Sequence, residues 1–280
     1  MLVTIYQVWP TGISVKKDIL SLFIEHFTTL CLSFIFITVS FFIRGVRWAV
    51  LMQGHKNFTP GTWCAGHGWS MLWLTFMPFR SGELARPLWL KKKGGSVTLA
   101  TTSVICERLI DTTILTVLLS LSAPQSIKLI SQKIGGLIPL LITATAMLAT
   151  IILIVLKKER CFQVLKDIRT QFSNKRLLTG TMLSVLSWLF AVAAVHLLLH
   201  SVFPELNWQT SVAFLALVNL SVIIAVTPGN IGVYEAVGIM CLGNFGISTS
   251  EALPVVIVTH IIALFGIILY GGMSYISLRK

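Results

Sequence analysis

Residues 77–111 read MPFRSGELARPLWLKKKGGSVTLATTSVICERLID, and this stretch decides what kind of molecule the chain is. It sets Glu83, Glu107 and Asp111, three of the ten acidic residues, close to Arg80, Arg86 and Arg108. Apolar runs long enough for lipid flank or contain these charges. An ionisable side chain at membrane depth costs about 3 kcal/mol on insertion scales, so it faces a partner or a watery cavity. Charges of both signs, beside Pro78, Pro87 and the Gly94–Gly95 pair, mark the first candidate functional site.

Working outward, the composition sets the class. Of 280 residues, 55% are hydrophobic and 11% charged, and the mean hydropathy is +0.85. A soluble domain of this length carries roughly 25% charged residues. Apolar stretches of roughly 20 residues favour helices over the alternating strands of a barrel. The expected fold is an all-α polytopic membrane protein, a single integral domain over 1–280 with about 5–8 transmembrane helices. The formal charge of +12 does not argue for nucleic acid, because the cations lie largely in short loops at helix ends. That is the positive-inside pattern, and it also suits anionic headgroups. The cysteines are scattered singly and no Cys/His spacing suggests a metal or cofactor. No cleavable signal is expected: the first apolar run is too long and no small-residue cleavage site follows it.

The runs predict a first span at about Leu20–Ile43, stopping at Arg44 and Arg47. A second region, about Pro60–Leu90, holds so many Gly and Pro residues that a straight span is improbable. A hairpin entering and leaving on one side fits better, and such backbone survives only against protein or a watery cavity. Spans follow at about Val97–Leu121, ended by Pro124, then about Leu137–Leu156, about Leu177–Leu199 and about Leu253–Leu278. Between them, about Trp208–Phe245 reads as two half-helices broken at TPGNIGVYE (Thr227–Glu235). The loops 44–58, 91–96 and 157–176 and the C-terminus carry the basic excess and are placed on the cytoplasmic side.

Both broken regions share a Pro-x-x-x-Gly pattern followed by Glu: Pro78, Gly82 and Glu83, then Pro228, Gly232 and Glu235. With one hairpin on each side of the membrane this is the layout of an inverted repeat, with halves about 20–156 and 177–280. Chance recurrence in a Gly-rich chain is the alternative.

Within the first break, a half-helix starting near Pro78 would offer free N–H groups and a positive dipole end to a lipid phosphate, with Arg80 nearby. Glu83 and Arg86, three apart, are expected to share a helical face and to satisfy each other. Glu107 and Asp111, four apart, also share a face, and they need more positive charge than Arg108 supplies; Arg80 or Arg86 is the natural donor. A purely structural ion-pair network is the competing interpretation. In the second break, Asn230, Tyr234 and Glu235 are the binding candidates, with Asn219, Thr227 and His260 the other polar groups in apolar sequence. His260 reads more readily as an interhelix contact than as a proton carrier, and the tryptophans as packing and interface residues.

Pro78-x-Arg80-x-Gly82-Glu83-x-x-Arg86, then Glu107-Arg108-x-x-Asp111, then Pro228-Gly-x-x-Gly232-x-x-Glu235 resembles the transmembrane domain of lysylphosphatidylglycerol synthases and its flippase-like stand-alone relatives. The resemblance covers most of the chain. It implies a multi-pass protein of a bacterial or archaeal plasma membrane that moves lipids or lipid-linked groups between leaflets. Residue by residue it points to Arg80, Glu83, Arg86, Glu107, Arg108, Asp111 and Glu235. Bifunctional members carry a soluble aminoacyltransferase domain after this region. The sequence reaches Lys280 just past the last span, so a stand-alone member is expected, with no lysine transfer inferred.

The leading expectation is translocation of a phosphate-bearing lipid or lipid-linked group, an anionic substrate clamped by guanidinium groups that carboxylates hold in place. An intramembrane transferase using Glu107 or Asp111 as base on a lipid or polyprenyl phosphate is the alternative. So is a membrane subunit that positions a separate soluble enzyme through its basic 157–176 loop.

Overall fold

The computed structural model describes residues 12–54, 58–77, 82–130, 166–221 and 227–279. Among them there is no strand. The α-helices, numbered here in chain order, are α1 Gly12–Glu25, α2 Phe27–Met52, α3 Pro60–Phe76, α4 Ala85–Lys92, α5 Val97–Ile130, α6 Asn174–Val202, α7 Trp208–Ser221, α8 Val233–Gly243 and α9 Thr249–Arg279. Three of these are long and apolar enough to cross a membrane: Phe27–Met52, Asn174–Val202 and Thr249–Leu278. The chain is an all-α polytopic membrane protein. The expected span at 137–156, Pro78, Arg80 and most of the basic loop lie outside the described residues.

Helix starts follow local chemistry. Thr59 caps α3 by accepting from the Thr62 N–H at 3.2 Å, with Pro60 in the first turn, where its missing donor costs nothing. Ser173 and Asn207 cap α6 and α7 in the same way. At α9, Ser248 and Glu251 accept reciprocally from each other's backbone N–H, a capping box.

Two boundaries differ from the sequence expectation. The first span is two helices joined at His26, whose backbone keeps the hydrogen-bond ladder going from Leu22 to Leu30. More consequentially, α2 does not stop at Arg44 but continues to Met52; Arg44 and Arg47 belong to the helix, not to a cytoplasmic loop. The apolar run Trp48–Met52 carries the helix on, and Trp48, Leu51 and Met52 are fully buried. Likewise α5 runs through Pro124 to Ile130.

The broken regions take the expected form of short paired helices. α4 and α8 are 8 and 11 residues long, about 12 and 16 Å, too short to cross a hydrocarbon core of about 30 Å alone. Each packs on its preceding partner, α3 or α7. The chain after α3 folds back tightly at Gly82: a Cβ there would lie 2.3 Å from the backbone of Leu74. Long helices approach through small residues, as membrane helices do. Gly68 faces Ser274, and Gly271 faces Leu72 and the Gly68 carbonyl, between α3 and α9. Gly45 admits the Tyr270 ring to α2, and the Tyr270 hydroxyl donates to the Cys64 carbonyl at 2.8 Å.

Two apolar cores result. The larger joins α1, α2 and α6–α9, with Met71 of α3 and Leu115 of α5. The smaller is aromatic, with Trp48, Trp63 and Trp89 in mutual contact at centroid distances of 5.3–6.1 Å. These tryptophans pack, as expected, and they form the floor of the charged cluster.

Candidate functional site

The charged cluster sits where α2, α4, α5 and α6 meet. Glu107 and Asp111 project from one face of α5, as their spacing requires. Arg47 reaches them from α2: its Nη1 donates to Asp111 Oδ1 at 2.6 Å and its Nη2 to Asp111 Oδ2 at 3.2 Å, while its Nε lies 3.4 Å from Glu107 Oε1. Arg47 Nη1 also donates to Ser184 of α6 at 2.7 Å, and Trp188 Nε1 donates to Asp111 Oδ1 at 3.1 Å. Arg86 of α4 pairs through Nη1 with Glu107 Oε2, donates from Nε to Ser70 of α3 at 3.1 Å, and lies against the Trp48 ring. Arg47, Arg86, Glu107 and Asp111 are 1, 2, 0 and 3% exposed. A buried charge is tolerable only when paired and hydrogen-bonded, and each of these four is.

At the edge of the cluster, Arg108 Nε lies 3.6 Å from Glu83 Oε1, with side chains 34 and 24% exposed. Glu83 and Arg86 therefore do not form the pair expected from their spacing. α4 begins at Ala85, so Glu83 lies ahead of the helix, and the two residues turn to different partners on α5.

The cluster brings together Arg86, Glu107 and Asp111, with Glu83 and Arg108 beside them. Arg80 falls outside the described residues. Arg47, Arg44, Ser184 and Trp188 complete the cluster and are not among the site residues expected from sequence. A signal for the arginines exists there: Arg44-x-x-Arg47 shares a helical face, and apolar sequence resumes directly after it. Glu107 Oε2 and both Asp111 oxygens accept from guanidinium and indole donors, and Glu107 Oε1 lies 3.4 Å from Arg47 Nε without a hydrogen bond, an arrangement suited to fixing helices rather than to taking a proton from substrate.

The second break forms a separate hydrogen-bonded knot. Gly229, Asn230 and Gly232 have φ of 63, 60 and 88°, the left-handed region that glycine enters freely and asparagine more readily than most residues. Glu235 occupies the first turn of α8, and its Oε2 accepts from the Gly232 N–H at 2.6 Å, half of a capping box that glycine cannot complete. His260 of α9 reaches the break with both ring nitrogens. Its Nε2 lies 2.9 Å from the Gly229 carbonyl and its Nδ1 lies 2.6 Å from Glu235 Oε1. A carbonyl only accepts, so Nε2 is the donor there, and a single proton serves the Nδ1–Oε1 contact. The Tyr234 ring stacks on the imidazole at 4.1 Å and 9°. Asn230, half-buried, stands at the turn itself.

The two breaks meet. Gly229 lies against the Thr75 carbonyl near the end of α3. Between α2, α6, α7, α8 and α9 a cavity of about 80 Å³ extends from Arg44 and Trp188 to Asn219 and Tyr234, so one void touches a residue of the first cluster and one of the second knot.

A family model described as the lysylphosphatidylglycerol synthase TM region matches residues 5–271. No curated protein and no solved structure matches the chain. The match spans nearly its whole length, both breaks and every described charge of the cluster, and the chain belongs to the family of the lysylphosphatidylglycerol synthase transmembrane region.

Proposed function

We propose that this protein translocates a phosphate-bearing lipid or lipid-linked group between the leaflets of a bacterial or archaeal plasma membrane. The family places the chain among membrane proteins of lipid modification or translocation. The finer reading rests on one observation above all: two helix breaks abut at Thr75 and Gly229 beside a buried ion cluster. Abutting half-helices form a contact that can part without unfolding a full-length span.

In this reading the cluster has two roles. Arg47, Arg86, Glu107 and Asp111 lock α2, α4, α5 and α6 into one unit that moves rigidly. Arg108 and Glu83, at its edge, receive the headgroup together with Arg80, because a guanidinium is always charged and recognises phosphate in a planar, two-pronged way. Asn230, Tyr234 and Glu235 form the facing side of the passage, and the acyl chains stay in the bilayer.

The test is leaflet exchange in liposomes holding purified protein and fluorescent phosphatidylglycerol, followed by quenching of the outer leaflet. Wild-type protein is expected to expose label that protein-free liposomes protect, and Arg108→Gln to slow exchange about tenfold or more, the loss of one charge-assisted contact. Wild-type protein that moves no lipid while turning over a polyprenyl-phosphate donor would overturn the proposal in favour of a transferase.

A further inference from the structure

The charged cluster does not balance. Among the described residues it gathers four guanidinium groups, of Arg44, Arg47, Arg86 and Arg108, against three carboxylates, of Glu83, Glu107 and Asp111. Glu107 and Asp111 are taken by Arg47 and Arg86, and Glu83 faces Arg108. Arg44 is the cation with no carboxylate in ion-pair contact among the described residues, although the charge of Asp111 reaches it. Its guanidinium lies 4.1 Å from the centroid of the Trp188 ring and 5.8 Å from that of Phe41. Its Nε is buried and has no hydrogen-bond partner among the described residues. Aromatic faces attract a cation, but they leave its five in-plane N–H donors unanswered. Nor is Arg44 at a helix end. It lies eight residues before the end of α2 at Met52, about 12 Å along the axis, and the residue is half-buried.

The side chain borders the cavity of about 80 Å³, whose other polar lining is Ser33, Asn219, Tyr234 and Thr259 on a largely apolar wall. Asn219 donates one amide hydrogen to the Leu215 carbonyl at 2.8 Å, which leaves its second amide hydrogen for a ligand. The carboxylate of the second break does not serve as counter-ion, since Glu235 is engaged by His260 and the Gly232 N–H. A void of this size has room for several waters or one phosphate-sized group.

We infer that this cavity is an oxyanion site, with Arg44 as its anchoring cation and a phosphate-class group as its ligand. The excess charge is neutralised when the site is filled, and the apolar wall suits a phosphate that arrives attached to lipid. The inference rests on the translocation reading only for the source of the anion; the site itself stands on charge and geometry.

The experiment is thermal unfolding of the full-length protein in detergent, exchanged free of native lipid, with three probes: phosphatidylglycerol, phosphatidylcholine and sodium phosphate. Phosphatidylglycerol is expected to raise the wild-type Tm more than phosphatidylcholine does. Arg44→Gln should weaken its apparent affinity about tenfold or more, the loss of a charge-assisted contact, and Arg44→Lys should keep part of it. Without ligand, Arg44→Gln should unfold at or above the wild-type temperature, because it removes an unbalanced charge. Ala263→Leu, which narrows the cavity from α9 and leaves Arg44 in place, should lose the lipid effect too. A wild-type response to sodium phosphate but not to phosphatidylglycerol supports the site and counts against a lipid substrate. The inference is overturned if Arg44→Gln responds to every probe as wild type does, if neither anion stabilises wild type, or if ligand-free Arg44→Gln unfolds well below wild type.

Discussion

Arg47 and Asp111, 64 positions apart, meet in a two-pronged pair that is shut away from solvent. The pair ties α2 to α5, two helices that otherwise touch very little. Ion pairing here does the work that apolar packing does between α2 and α6. The arrangement is sensitive to loss of one partner, because the other is then stranded in a low-dielectric interior. Asp111→Asn and Arg47→Met should each destabilise the protein by about 3–5 kcal/mol. The double variant Arg47→Met/Asp111→Asn should recover a large part of that loss, since neither residue is left facing the lone charge of the other. Unfolding in detergent decides the matter: a double variant as unstable as the sum of the singles would show that the two residues act independently.

Glu107 and Glu83 allow a sharper comparison, because both pair with arginine but at different depths. Glu107 is fully buried and shared by Arg47 and Arg86, whereas Glu83 and Arg108 keep about a quarter to a third of their side chains exposed. Glu107→Gln should therefore cost about 3 kcal/mol or more, and Glu83→Gln about 0–1 kcal/mol. Their effects on lipid exchange should run the other way relative to stability, with Glu83→Gln impairing exchange in a protein that remains folded. Equal stability losses would mean that the Glu83–Arg108 contact is as desolvated as the inner cluster.

Much of this cluster is legible in the amino-acid sequence. The four-residue spacing of Glu107 and Asp111 dictates their common face, and the shortage of positive charge beside them points to Arg80 or Arg86, of which Arg86 pairs with Glu107. Arg47 and Arg44 are hidden by a rule that usually works. Arginines closing an apolar run read as a cytoplasmic boundary, and only the burial of Trp48–Met52 shows that α2 continues. The expected Glu83–Arg86 pair fails for a different reason: a three-residue spacing implies one face only inside a helix, and the helix starts between them. The second break is visible as Thr227–Gly232, but the hold of His260 on it is a tertiary contact with no local signature, spanning 31 residues to the Gly229 carbonyl.

The turn after α3 depends on one missing side chain. At Gly82 a Cβ would meet the backbone of Leu74 and Trp73 at 2.3–2.4 Å, and backbone cannot rotate aside as a side-chain tip does. Gly82→Ala should cost about 3 kcal/mol by overpacking and should displace α4 together with Arg86. Gly243→Ala is the control, since a Cβ at the end of α8 meets nothing within 4 Å; it should be neutral or slightly stabilising. Circular dichroism and thermal unfolding of both variants test this, and a Gly82→Ala protein as stable as Gly243→Ala would place the turn differently.

His260 holds the second break by two bonds, one to the Gly229 carbonyl and one to Glu235. Both are lost in His260→Leu, which fills much of the same space, so the Gly229 carbonyl and Glu235 Oε1 each lose their partner. The expected cost is about 2–4 kcal/mol, the sum of a neutral and a charge-assisted hydrogen bond. That cost should appear locally, because the other bonds that hold Gly229–Gly232 are short-range: Thr227 Oγ1 to the Ile231 carbonyl, the Gly232 N–H to Glu235, and the Asn230, Ile231 and Ala236 N–H groups to the Thr227, Pro228 and Gly232 carbonyls. Hydrogen–deuterium exchange should accelerate across 227–235 while α2 and α6 keep their protection, since a region of low local stability opens without the rest. His260→Gln, which can replace one bond, should fall between Leu and wild type. If exchange instead rises uniformly along the chain, the break is part of the global fold and not the separable contact on which the translocation reading depends.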